Sequence, residues 1–467
     1  MRTSIVMQAE HLGQLRQHLL QDPEREHAAF LIGGFSLTAA NRKLLVKEVV
    51  PIPGDGFREQ SEGRLVIEPA FFNSIIKRAA MEGWSVILTH SHPKAVGAVA
   101  FSPIDNAGEK AMFANLFQRA SGRPHGSLVF GANSVAARIW EPDGRVSSVD
   151  RLVVVGQRLE ILPFGGLAPA HDPLHDRQAR AFGVKGQERL ADVTCGVVGG
   201  GGTGSATVEQ LIRLGVRRLL VIDDDRVEPS NVSRIFGSRV EDARNRIPKV
   251  EVLRRLAEDI GVGTAIEAVQ GSIVDAQVAA HLRDADVVFC CTDTHWSRCI
   301  LNQFADQYLT PVIDMGNRIH AVNGRIQAAD GRVYVVLPGG TCLWCCEAIR
   351  SDAVRTESLP DEERSRLERE GYVRGFEIGS PSVISLNAVV SGLAVTEFIN
   401  LMTGFMGRET QPQLIYNMLG NSVKHGVYRP AGTCDCSTGR VRAKGDLDKL
   451  PCRTQNQVED GCEVKAV

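Results

Sequence analysis

The sequence predicts a two-part α/β protein, and three observations support that fold class. The 467 residues exceed the roughly 250 to 300 at which one hydrophobic core stops growing. Up to about Glu141, strand-like apolar runs are mixed with helical patterns, which predicts a small α+β domain. From Val193 onward, strands alternate with helices, which predicts a doubly wound parallel sheet.

Apolar periodicity places the individual elements. In the first part it predicts, in order, a helix over Ala9 to Leu20, strands in AAFLIGGF and KLLVKEVV, a helix in PAFFNSIIKRAA, a strand in WSVILTH, a helix from Pro103 to about Phe117, and strands in GSLVFG and AARIW. In the second part it predicts VTCGVVG, RLLVID, DVVFCC and PVIDMG as strands, separated by helices from Thr203, in PKVEVLRRLAEDI and from Trp296 to Tyr308.

Domain boundaries follow from shifts in composition. The stretch PFGGLAPAHDPLH is rich in Pro and Gly, and the last residues of the chain are polar with little apolar content. We therefore assign residues 1–150 to the first domain, 151–176 to a linker, 177–436 to the second domain and 437–467 to a flexible tail.

The composition indicates which classes of partner and which cellular location to expect. Lys plus Arg is 53 against Asp plus Glu 55, a net charge of -2, so no basic field favours nucleic acid or anionic lipid. The sequence shows no secretion signal and no apolar run near the ~18 residues of a membrane span, so we expect a cytoplasmic protein. For the 11 cysteines, metal binding, thiol chemistry and burial are then better explanations than disulfides.

The stretch HSHPKAVGAVAFSPID carries candidate metal ligands. His90 and His92 leave the end of a predicted strand on the same face, and Asp105 can complete a set of two nitrogens and one oxygen. That set suits Zn²⁺ with one position open for water. Ser102 and Asp105 fit equally well a capping box at the start of a helix.

H-x-H followed by S-x-x-D resembles the motif of the JAB/MPN (JAMM) metallopeptidases, although the spacing between the two halves is slightly longer than the commonest one. That family places a glutamate ahead of a short apolar strand, and EHAAFLIGG supplies Glu26, with Glu24 as a rival. The resemblance implies a JAB/MPN domain in which Glu26 is the general base and Ser102 stabilises an oxyanion. It also implies a catalytic zinc ion held by His90, His92 and Asp105, and cleavage after the C-terminal glycine of a ubiquitin-like protein.

The stretch GVVGGGGTGS has the form of a phosphate-binding loop. Gly199, Gly201 and Gly204 fit G-x-G-x-x-G after a strand, and Asp223 ends the next strand, where a ribose-binding acid is expected. These features alone fit an NAD-dependent dehydrogenase with a metal-binding accessory domain.

Further polar side chains follow the predicted strands, at Asp225, Asn231, Arg234, Lys249 and Asp293. In a doubly wound sheet such residues collect at one edge, where ligands bind. A nicotinamide cofactor has little use for two more cations and another carboxylate, whereas a triphosphate with Mg²⁺ needs both. The pattern therefore favours ATP.

This arrangement resembles the ThiF/MoeB-like and ubiquitin-activating family of adenylating enzymes, over roughly Arg177 to Cys436. The resemblance implies a Rossmann-like adenylation domain with these nucleotide contacts: a phosphate loop (Gly199, Gly201, Gly202, Gly204), the ribose acid Asp223, the phosphate contacts Asn231, Arg234 and Lys249, and Asp293 for Mg²⁺ or the attacking carboxylate. Asp225 is predicted as a further nucleotide-binding residue, and Arg234, Lys249 and Asp293 are predicted as the residues with a catalytic role. The resemblance also implies a homodimer in which Arg177 reaches the nucleotide of the partner subunit.

Two short cysteine pairs predict a structural zinc site. They are Cys342 and Cys345 in TCLWCC, and Cys434 and Cys436 in TCDCS. The family usually carries two C-x-x-C pairs, so Cys346 is an alternative ligand. No cysteine lies between Glu347 and Thr433, where relatives that form thioesters carry one; a covalent carrier would have to be Cys346, Cys452, Cys462 or a hydroxyl such as that of Ser380.

Together the two resemblances predict a bifunctional enzyme of a prokaryotic, bacterial ubiquitin-like conjugation or sulfur-carrier pathway. One site adenylates the C-terminal glycine of the ubiquitin-like protein with ATP and Mg²⁺, and the zinc site cleaves after that glycine, in precursor processing or deconjugation. A conjugating enzyme or a sulfur-transfer protein is the expected further partner. The alternatives are the dehydrogenase, which binds NADH without pyrophosphate exchange, and a non-enzymatic docking protein, which binds no zinc in its first half.

Overall fold

A computed structural model describes residues 1–61, 63–95, 97–164, 173–369 and 381–453. The chain divides into two compact units. The first consists of Met1–Leu167, Gln307–Leu309 and Val441–Asp448, and the second of Ala168–Asp306, Thr310–Arg440 and Lys449–Val467. A mixed α/β fold, as the sequence predicts, is confirmed.

The first unit is built from two sheets. Its elements are β1 (Arg2–Gln8), α1 (Ala9–Leu19), β2 (Ala28–Gly33), β3 (Phe35–Leu37), β4 (Asn41–Leu45), β5 (Glu48–Pro51), β6 (Phe57–Gln60), β7 (Leu65–Ile67), α2 (Pro69–Glu82), β8 (Ser85–Ser91), α3 (Pro103–Arg119), β9 (His125–Phe130), β10 (Val135–Trp140), β11 (Val146–Ser148), β12 (Arg151–Val155) and β13 (Leu159–Pro163). In the described residues, one sheet has the order β13-β12-β1-β4-β3 and the other β11-β10-β9-β8-β2-β5, while β6 and β7 form a separate hairpin.

Apolar side chains fill both faces of the second of these sheets. Alternate residues of β2 point to opposite sides, as strand geometry requires. Leu31 belongs to a core with Ile5 and Leu152 of the other sheet. Its neighbour Phe30 belongs to a second core that includes Ile76 of α2 and Phe113 of α3. The neighbouring strand β8, which carries His90, is anchored from two sides in the same way, because Ile87 belongs to the first core and Leu88 to the second.

The predicted linker over residues 151–176 is wrong in its first part. β12 pairs in parallel with β1, from Ser4 opposite Arg151 to Gln8 opposite Val155, and β13 pairs with β12. The Gly- and Pro-based boundary signal is local, so it cannot report a strand whose partner lies at the other end of the domain. Residues 165–172 lie outside the described part of the chain.

The predicted flexible tail over residues 437–467 is wrong for the segment Val441–Asp448. Ala443 is fully buried, its carbonyl accepts a hydrogen bond from Gly34 N at 2.8 Å, and Asp446 N donates to Phe35 O at 2.8 Å. The segment covers the edge strand β3, and an exposed strand edge is a site of unwanted pairing. The prediction failed because the segment is polar, and polar composition alone predicts a flexible tail. Residues 454–467 lie outside the described chain.

The second unit is built on one large sheet. Its elements are α4 (Asp176–Phe182), α5 (Val184–Asp192), β14 (Thr194–Val198), α6 (Gly202–Arg213), β15 (Arg218–Asp223), α7 (Val240–Arg244), α8 (Lys249–Ile260), β16 (Ala265–Gln270), α9 (Ala276–Ala279), β17 (Val287–Cys290), α10 (His295–Gln307), β18 (Val312–Val322), β19 (Arg325–Val336), α11 (Ser351–Glu357), α12 (Asp361–Arg369), α13 (Ile384–Thr403), β20 (Gln413–Asn417), β21 (Ser422–His425) and α14 (Asp435–Thr438). Within the described residues the strand order is β16-β15-β14-β17-β18-β19-β20-β21.

The sheet has two kinds of pairing. β16, β15, β14, β17 and β18 are parallel, as in a Rossmann-like domain, and the predicted doubly wound sheet is confirmed for them. β19, β20 and β21 extend the sheet from β18 by antiparallel pairing and were not predicted. Short hairpins join β18 to β19 and β20 to β21 without a crossover helix, so the regular helix–strand alternation used for the prediction ends at β18, although α11, α12 and α13 lie between β19 and β20.

Helix α13 is, by length and composition alone, apolar enough to cross a membrane. In this fold it packs against α6, β18 and β19. Its buried Glu397 forms an ion pair with Arg408. Charge pairing and contact with a sheet are features of the core helix of a globular domain.

Candidate functional site

Three potential metal ligands converge in the first unit, where β8 ends and α3 begins. His90 Nε2 lies 3.3 Å from Asp105 Oδ1, and His92 Nε2 lies 3.4 Å from Asp105 Oδ2. One ligand atom of each residue lies within 4.8 Å of the others. His90 lies near the end of β8, and His92 follows directly after the strand. His92 stays beside the neighbouring strand β9, because its backbone N donates to Phe130 O at 2.8 Å.

Asp105 is placed both to cap helix α3 and to face the two histidines, the two possibilities that the sequence left open. Its backbone N–H donates to Ser102 Oγ at 3.1 Å, and its Oδ2 accepts from Ser102 N at 2.6 Å, so the capping box of α3 is present. The same carboxylate faces both imidazoles. Ser102 Oγ acts as acceptor in the cap, so its hydroxyl proton stays available for another acceptor.

Glu26 lies beside this cluster, and Glu24 has a different environment. Glu26 Oε1 is 3.7 Å from His92 Nε2 and the residue is buried. The β6–β7 hairpin holds its main chain, since Gln60 Nε2 donates to Glu26 O at 2.9 Å. Glu24 is exposed and pairs with Lys94 at 2.7 Å. Of these two glutamates, Glu26 is therefore the one that lies beside the cluster.

The electrostatics of the cluster suit a cation. Burial opposes ionisation of Asp105, but the two imidazoles outweigh it and hold the pKa of this carboxyl well below its usual range. Hydrogen bonding to Asp105 raises the pKa of His92. His90 Nε2 is buried, and within the described residues its contact with Asp105 Oδ1, at 3.3 Å, lacks the angles of a hydrogen bond. Two ring nitrogens and a carboxylate oxygen form a donor set that Zn²⁺ accepts, so the residues fit that ion.

In the second unit, the glycine loop joins β14 to α6. Gly199 has φ +97°, a conformation that glycine adopts without strain, and a Cβ on Gly204 would lie 1.7 Å from Gly199 O. Gly201 precedes α6, which begins at Gly202, and no side chain of the described residues caps the helix there. Backbone N–H groups at such a helix start form an anion-binding site.

Asp223 and Lys249 lie against this loop. Asp223 Oδ2 accepts from Gly200 N at 2.5 Å, and Lys249 Nζ lies 3.8 Å from Asp223 Oδ1 and 2.5 Å from Asp225 Oδ2. Burial raises the pKa of Asp223, and the Lys249 ammonium opposes that shift. Lys249 is the first residue of α8 and is buried, so the cation is held close to the loop.

Asn231 and Arg234 occupy the segment after β15. Asn231 is buried, and its Oδ1 accepts from Glu228 N at 3.2 Å, so its side chain is part of a local turn. Ser205 Oγ of α6 accepts from Phe236 N at 3.1 Å and ties the segment to the glycine loop. Arg234 is half-buried within this segment.

Asp293 is exposed in the loop after β17. β17 is the parallel neighbour of β14, with Val198 opposite Cys290, so this loop and the glycine loop leave the sheet at the same edge. A Cβ on Gly199 would meet Cys291 O at 2.7 Å, which places the two loops in contact. This end of the sheet therefore brings together the glycine loop, Asp223, Lys249 and the loop that carries Asp293.

Sequence reasoning missed a buried ion pair beneath this loop. Arg298 Nε donates to Asp314 Oδ1 at 2.9 Å, and Arg298 Nη2 donates to Thr292 O at 3.1 Å. The Asp314 carboxylate raises the pKa of Arg298 further. The only available signal was a lone acid in the apolar strand PVIDMG, which does not identify its partner.

The remaining predicted positions differ in what the structure offers. Arg177 is exposed on α4, and its predicted role requires a second subunit. Cys452 Sγ lies 3.8 Å from Ile273 O, and burial raises the pKa of its thiol to about 12, which disfavours a carrier role. Ser380 and Cys462 lie outside the described residues.

The two cysteine pairs meet as predicted from their spacing. Cys342 Sγ lies 3.5 Å from Cys434 Sγ, and Cys345 Sγ lies 3.7 Å from Cys436 Sγ. All four are free thiols in one cluster, and four sulfurs at about 2.3 Å from a tetrahedral Zn²⁺ lie about 3.8 Å apart. The residues fit that ion. Cys346 lies outside the cluster, and burial raises the pKa of its thiol to about 12.

Comparison with known proteins identifies the second unit. The ThiF family profile matches residues 175–437. "Ubiquitin-like modifier-activating enzyme 5" of Branchiostoma floridae is 27% identical over 266 residues, 54% of this chain and 60% of that protein. The protein of the same name from Oryza sativa subsp. japonica is 27% identical over 280 residues, 58% of this chain and 62% of that protein. The chain thus spans less than two thirds of these relatives.

Solved structures also align with part of this chain. E. coli MccB with ATP aligns with a TM-score of 0.45 and 16% identity, covering 57% of this chain and 75% of that one. PaaA aligns with a TM-score of 0.42 and 16% identity, covering 57% of this chain and 87% of that one.

Proposed function

This chain belongs to the ThiF family, and from that premise we propose that its second unit adenylates the C-terminal glycine of a ubiquitin-like protein, using ATP and Mg²⁺. The observation that carries the proposal is the meeting of the glycine loop, Asp223, Lys249 and the Asp293 loop at one sheet edge. The name of the relatives, ubiquitin-like modifier-activating enzyme, supports this class of substrate.

In the proposed reaction, a carboxylate oxygen of the terminal glycine attacks the α-phosphorus of ATP. A bond forms between that oxygen and phosphorus, the bond to the bridging oxygen breaks, and pyrophosphate leaves. The chain contributes positioning and charge: N–H groups at the start of α6 face phosphate oxygens, Lys249 offsets their charge, and Asp223 accepts from the ribose hydroxyls. Mg²⁺, when bound near Asp293, supplies further charge neutralisation.

Calorimetric titration of the full chain with ATP tests the nucleotide site. Lys249→Met removes a charged hydrogen-bond donor worth about 1.5 to 3 kcal/mol, so we expect the Kd for ATP to rise about 10- to 100-fold. Asp224→Ala is the matched control, because Asp224 is an exposed neighbour of Asp223, and it should change the Kd less than twofold. Unchanged ATP binding in Lys249→Met contradicts the proposal, and binding of NADH in place of ATP favours the dehydrogenase.

We further propose that the first unit is a JAB/MPN-type zinc hydrolase that cleaves the peptide or isopeptide bond after the same glycine. The supporting observation is the cluster of His90, His92 and Asp105 with Glu26 at its side. A bound Zn²⁺ would supply Lewis acidity and lower the pKa of a water molecule to around 7. Glu26 then accepts the proton of the attacking water and passes it to the leaving amine.

Ser102 completes the proposed hydrolytic site. Because its Oγ acts as an acceptor in the helix cap, the hydroxyl proton can be donated to the oxyanion of the tetrahedral intermediate. Donors of this kind contribute about 3 kcal/mol in other acyl-transfer sites. The cap also fixes the position of Oγ before substrate binds.

Cleavage by the full chain tests this second proposal. The substrates are a ubiquitin-like protein extended by a peptide after its glycine and the same protein in isopeptide linkage to lysine, which separate precursor processing from deconjugation. Glu26→Gln should slow cleavage by about 10² to 10⁴-fold, while the control Glu24→Gln stays within threefold of wild type. If the full chain lacks zinc at the histidine site, the docking-protein alternative is favoured.

The proposed assembly is a homodimer in which Arg177 serves the site of the other subunit. Two inactive variants, Arg177→Ala and Lys249→Met, then complement each other when mixed, because each mixed dimer contains one complete site. Recovery of pyrophosphate exchange after subunit exchange is the expected result, and no recovery in a mixture shown to exchange subunits contradicts it. The setting we propose is a prokaryotic ubiquitin-like conjugation or sulfur-carrier pathway in the cytoplasm.

A further inference from the structure

A buried ion pair lies one helical turn beyond the proposed zinc ligand Asp105. Glu109 of α3 and Arg138 of β10 are both buried, and Arg138 Nη2 donates to Glu109 Oε2 at 2.8 Å. The same oxygen accepts from Arg138 Nε at 3.1 Å, Ser127 Oγ at 2.5 Å and Trp140 Nε1 at 2.8 Å. Four donors on one carboxylate oxygen hold α3 against the sheet.

The guanidinium also reaches the residues on either side of the zinc cluster. Arg138 Nη1 donates to Asn106 Oδ1, next to Asp105. The Arg138 Cζ atom lies 3.7 Å from the centre of the Phe101 ring, within the range of a cation–π contact. The Phe101 ring in turn lies 6.1 Å, centre to centre, from the imidazole of His90.

The proposed metal ligands come from two different elements, and their separation must be fixed. His90 and His92 come from the sheet, whereas Asp105 comes from the start of α3, and the capping box orders α3 only internally. Asp105 and Glu109 are four residues apart, so they lie on the same face of the helix. A link from Glu109 to the sheet therefore sets the distance between the carboxylate ligand and the two imidazoles.

We propose that Arg138 is a positioning residue of the metal site: with Glu109 it fastens the first turns of α3 to the sheet and, through Phe101 and Asn106, holds His90 and Asp105 at the separation a metal ion needs. The inference rests on the proposed zinc hydrolase. Metal sites require their ligands to be held within about 0.5 Å, and groups that orient ligands typically affect metal affinity by about 10- to 100-fold.

The test measures zinc affinity in the full chain, by competition with a chelator of known affinity. The cysteine cluster adds a second zinc, so His90→Ala identifies the share bound at the histidine site. Cobalt substitution separates the two sites as well, because thiolate ligands give intense charge-transfer bands that nitrogen and oxygen ligands lack. Arg138→Met should weaken zinc binding at the histidine site by about 10- to 100-fold and alter its cobalt spectrum.

Arg42→Met is the matched control. Arg42 forms a partly buried ion pair with Glu141 at 2.8 Å in the same unit and has no role in the proposed link to α3. It should leave the zinc affinity of the histidine site within twofold of wild type. A loss equal to that of Arg138→Met would show a general effect of removing an ion pair and would overturn the inference.

Arg138→Met leaves the Glu109 charge buried without its partner, which strongly destabilises a fold. If that variant fails to fold, Glu109→Gln with Arg138→Met removes both charges and keeps an acceptor for Ser127 and Trp140. The double variant should fold and still lose at least tenfold in zinc affinity, and a loss below threefold in a folded variant overturns the inference. Absence of histidine-site zinc in the wild type refutes instead the proposed hydrolase.

Discussion

The proposed zinc cluster of the first unit and the proposed nucleotide site at the sheet edge of the second are assembled by different means. The cluster is made of one buried and two half-buried side chains, those of His90, His92 and Asp105, which already lie within reach of one another. The proposed nucleotide site is made largely of backbone, in the glycine loop, and its Asp293 is exposed. A compact ion needs ligands held in advance, whereas an extended nucleotide needs a cradle that its own phosphates complete.

The largest expected effect comes from filling the glycine loop, the part of the molecule that depends most on bare backbone. Gly204→Ala puts a Cβ 1.7 Å from Gly199 O, and neither group can move without distorting the turn. We expect the second unit to lose more than about 3 kcal/mol of unfolding free energy and to stop binding ATP.

Gly201→Ala is the matched control for this change. A Cβ at Gly201 meets no atom within 4 Å. Thermal unfolding of both variants should show a large shift for Gly204→Ala and a small one for Gly201→Ala. Equal shifts would mean that the loop is not built around the contact between Gly204 and Gly199.

Acid should lower the unfolding free energy of the first unit, because His125 is buried in its neutral form there. His125 is separate from the proposed metal ligands. Burial lowers the pKa of His125 to about 4 from 6.5, while its Nδ1 accepts from Val86 N at 3.0 Å. Between pH 6.5 and 4 the unfolded chain binds a proton that the folded chain does not. Stability therefore falls across this window, by at most about 3 kcal/mol, and this loss is complete below about pH 4.

Urea unfolding at pH 6.5, 5 and 4 measures this effect. His125→Gln keeps an acceptor for Val86 N and cannot titrate, so its stability should fall less steeply with pH than that of the wild type. If the two proteins show the same slope, His125 does not govern the acid sensitivity of the first unit.

A smaller effect is expected where the segment Val441–Asp448 covers β3. Gly34→Ala places a Cβ 2.1 Å from Lys444 O, so the segment must move. We expect a loss of about 1 to 3 kcal/mol in the first unit. Gly13→Ala in helix α1 is the control, because a Cβ there meets no atom within 4 Å. It should raise the unfolding free energy by about 0.5 to 1 kcal/mol, since alanine favours a helix more than glycine does. Thermal unfolding that ranks the two variants the other way would contradict the closure of β3 by this segment.

Local patterns predicted only part of each unit, and distant pairing limited the rest. The helix from Pro103 and the strand WSVILTH were visible because their apolar periodicity lies within the element. β1 was missed, since its neighbours β12 and β4 are distant in sequence and its buried strand lacks polar alternation. Covering of β3 by a polar segment has no local signature at all.

The candidate sites show the same limit. His90, His92 and Asp105 lie within one short stretch, so their convergence could be predicted. Pairing of Arg298 with Asp314, and of Arg138 with Glu109, depends on which strands become neighbours, which a single sequence does not show. Side chains that hold a site are thus harder to predict than those that form it.

The central claim is that one chain carries two independent sites that address the same glycine. The most direct measurement assays ATP–pyrophosphate exchange and cleavage after glycine on two full-length variants. Asp293→Ala should abolish exchange and spare cleavage, while Glu26→Ala should abolish cleavage and spare exchange. Loss of both activities in either folded variant would contradict the account.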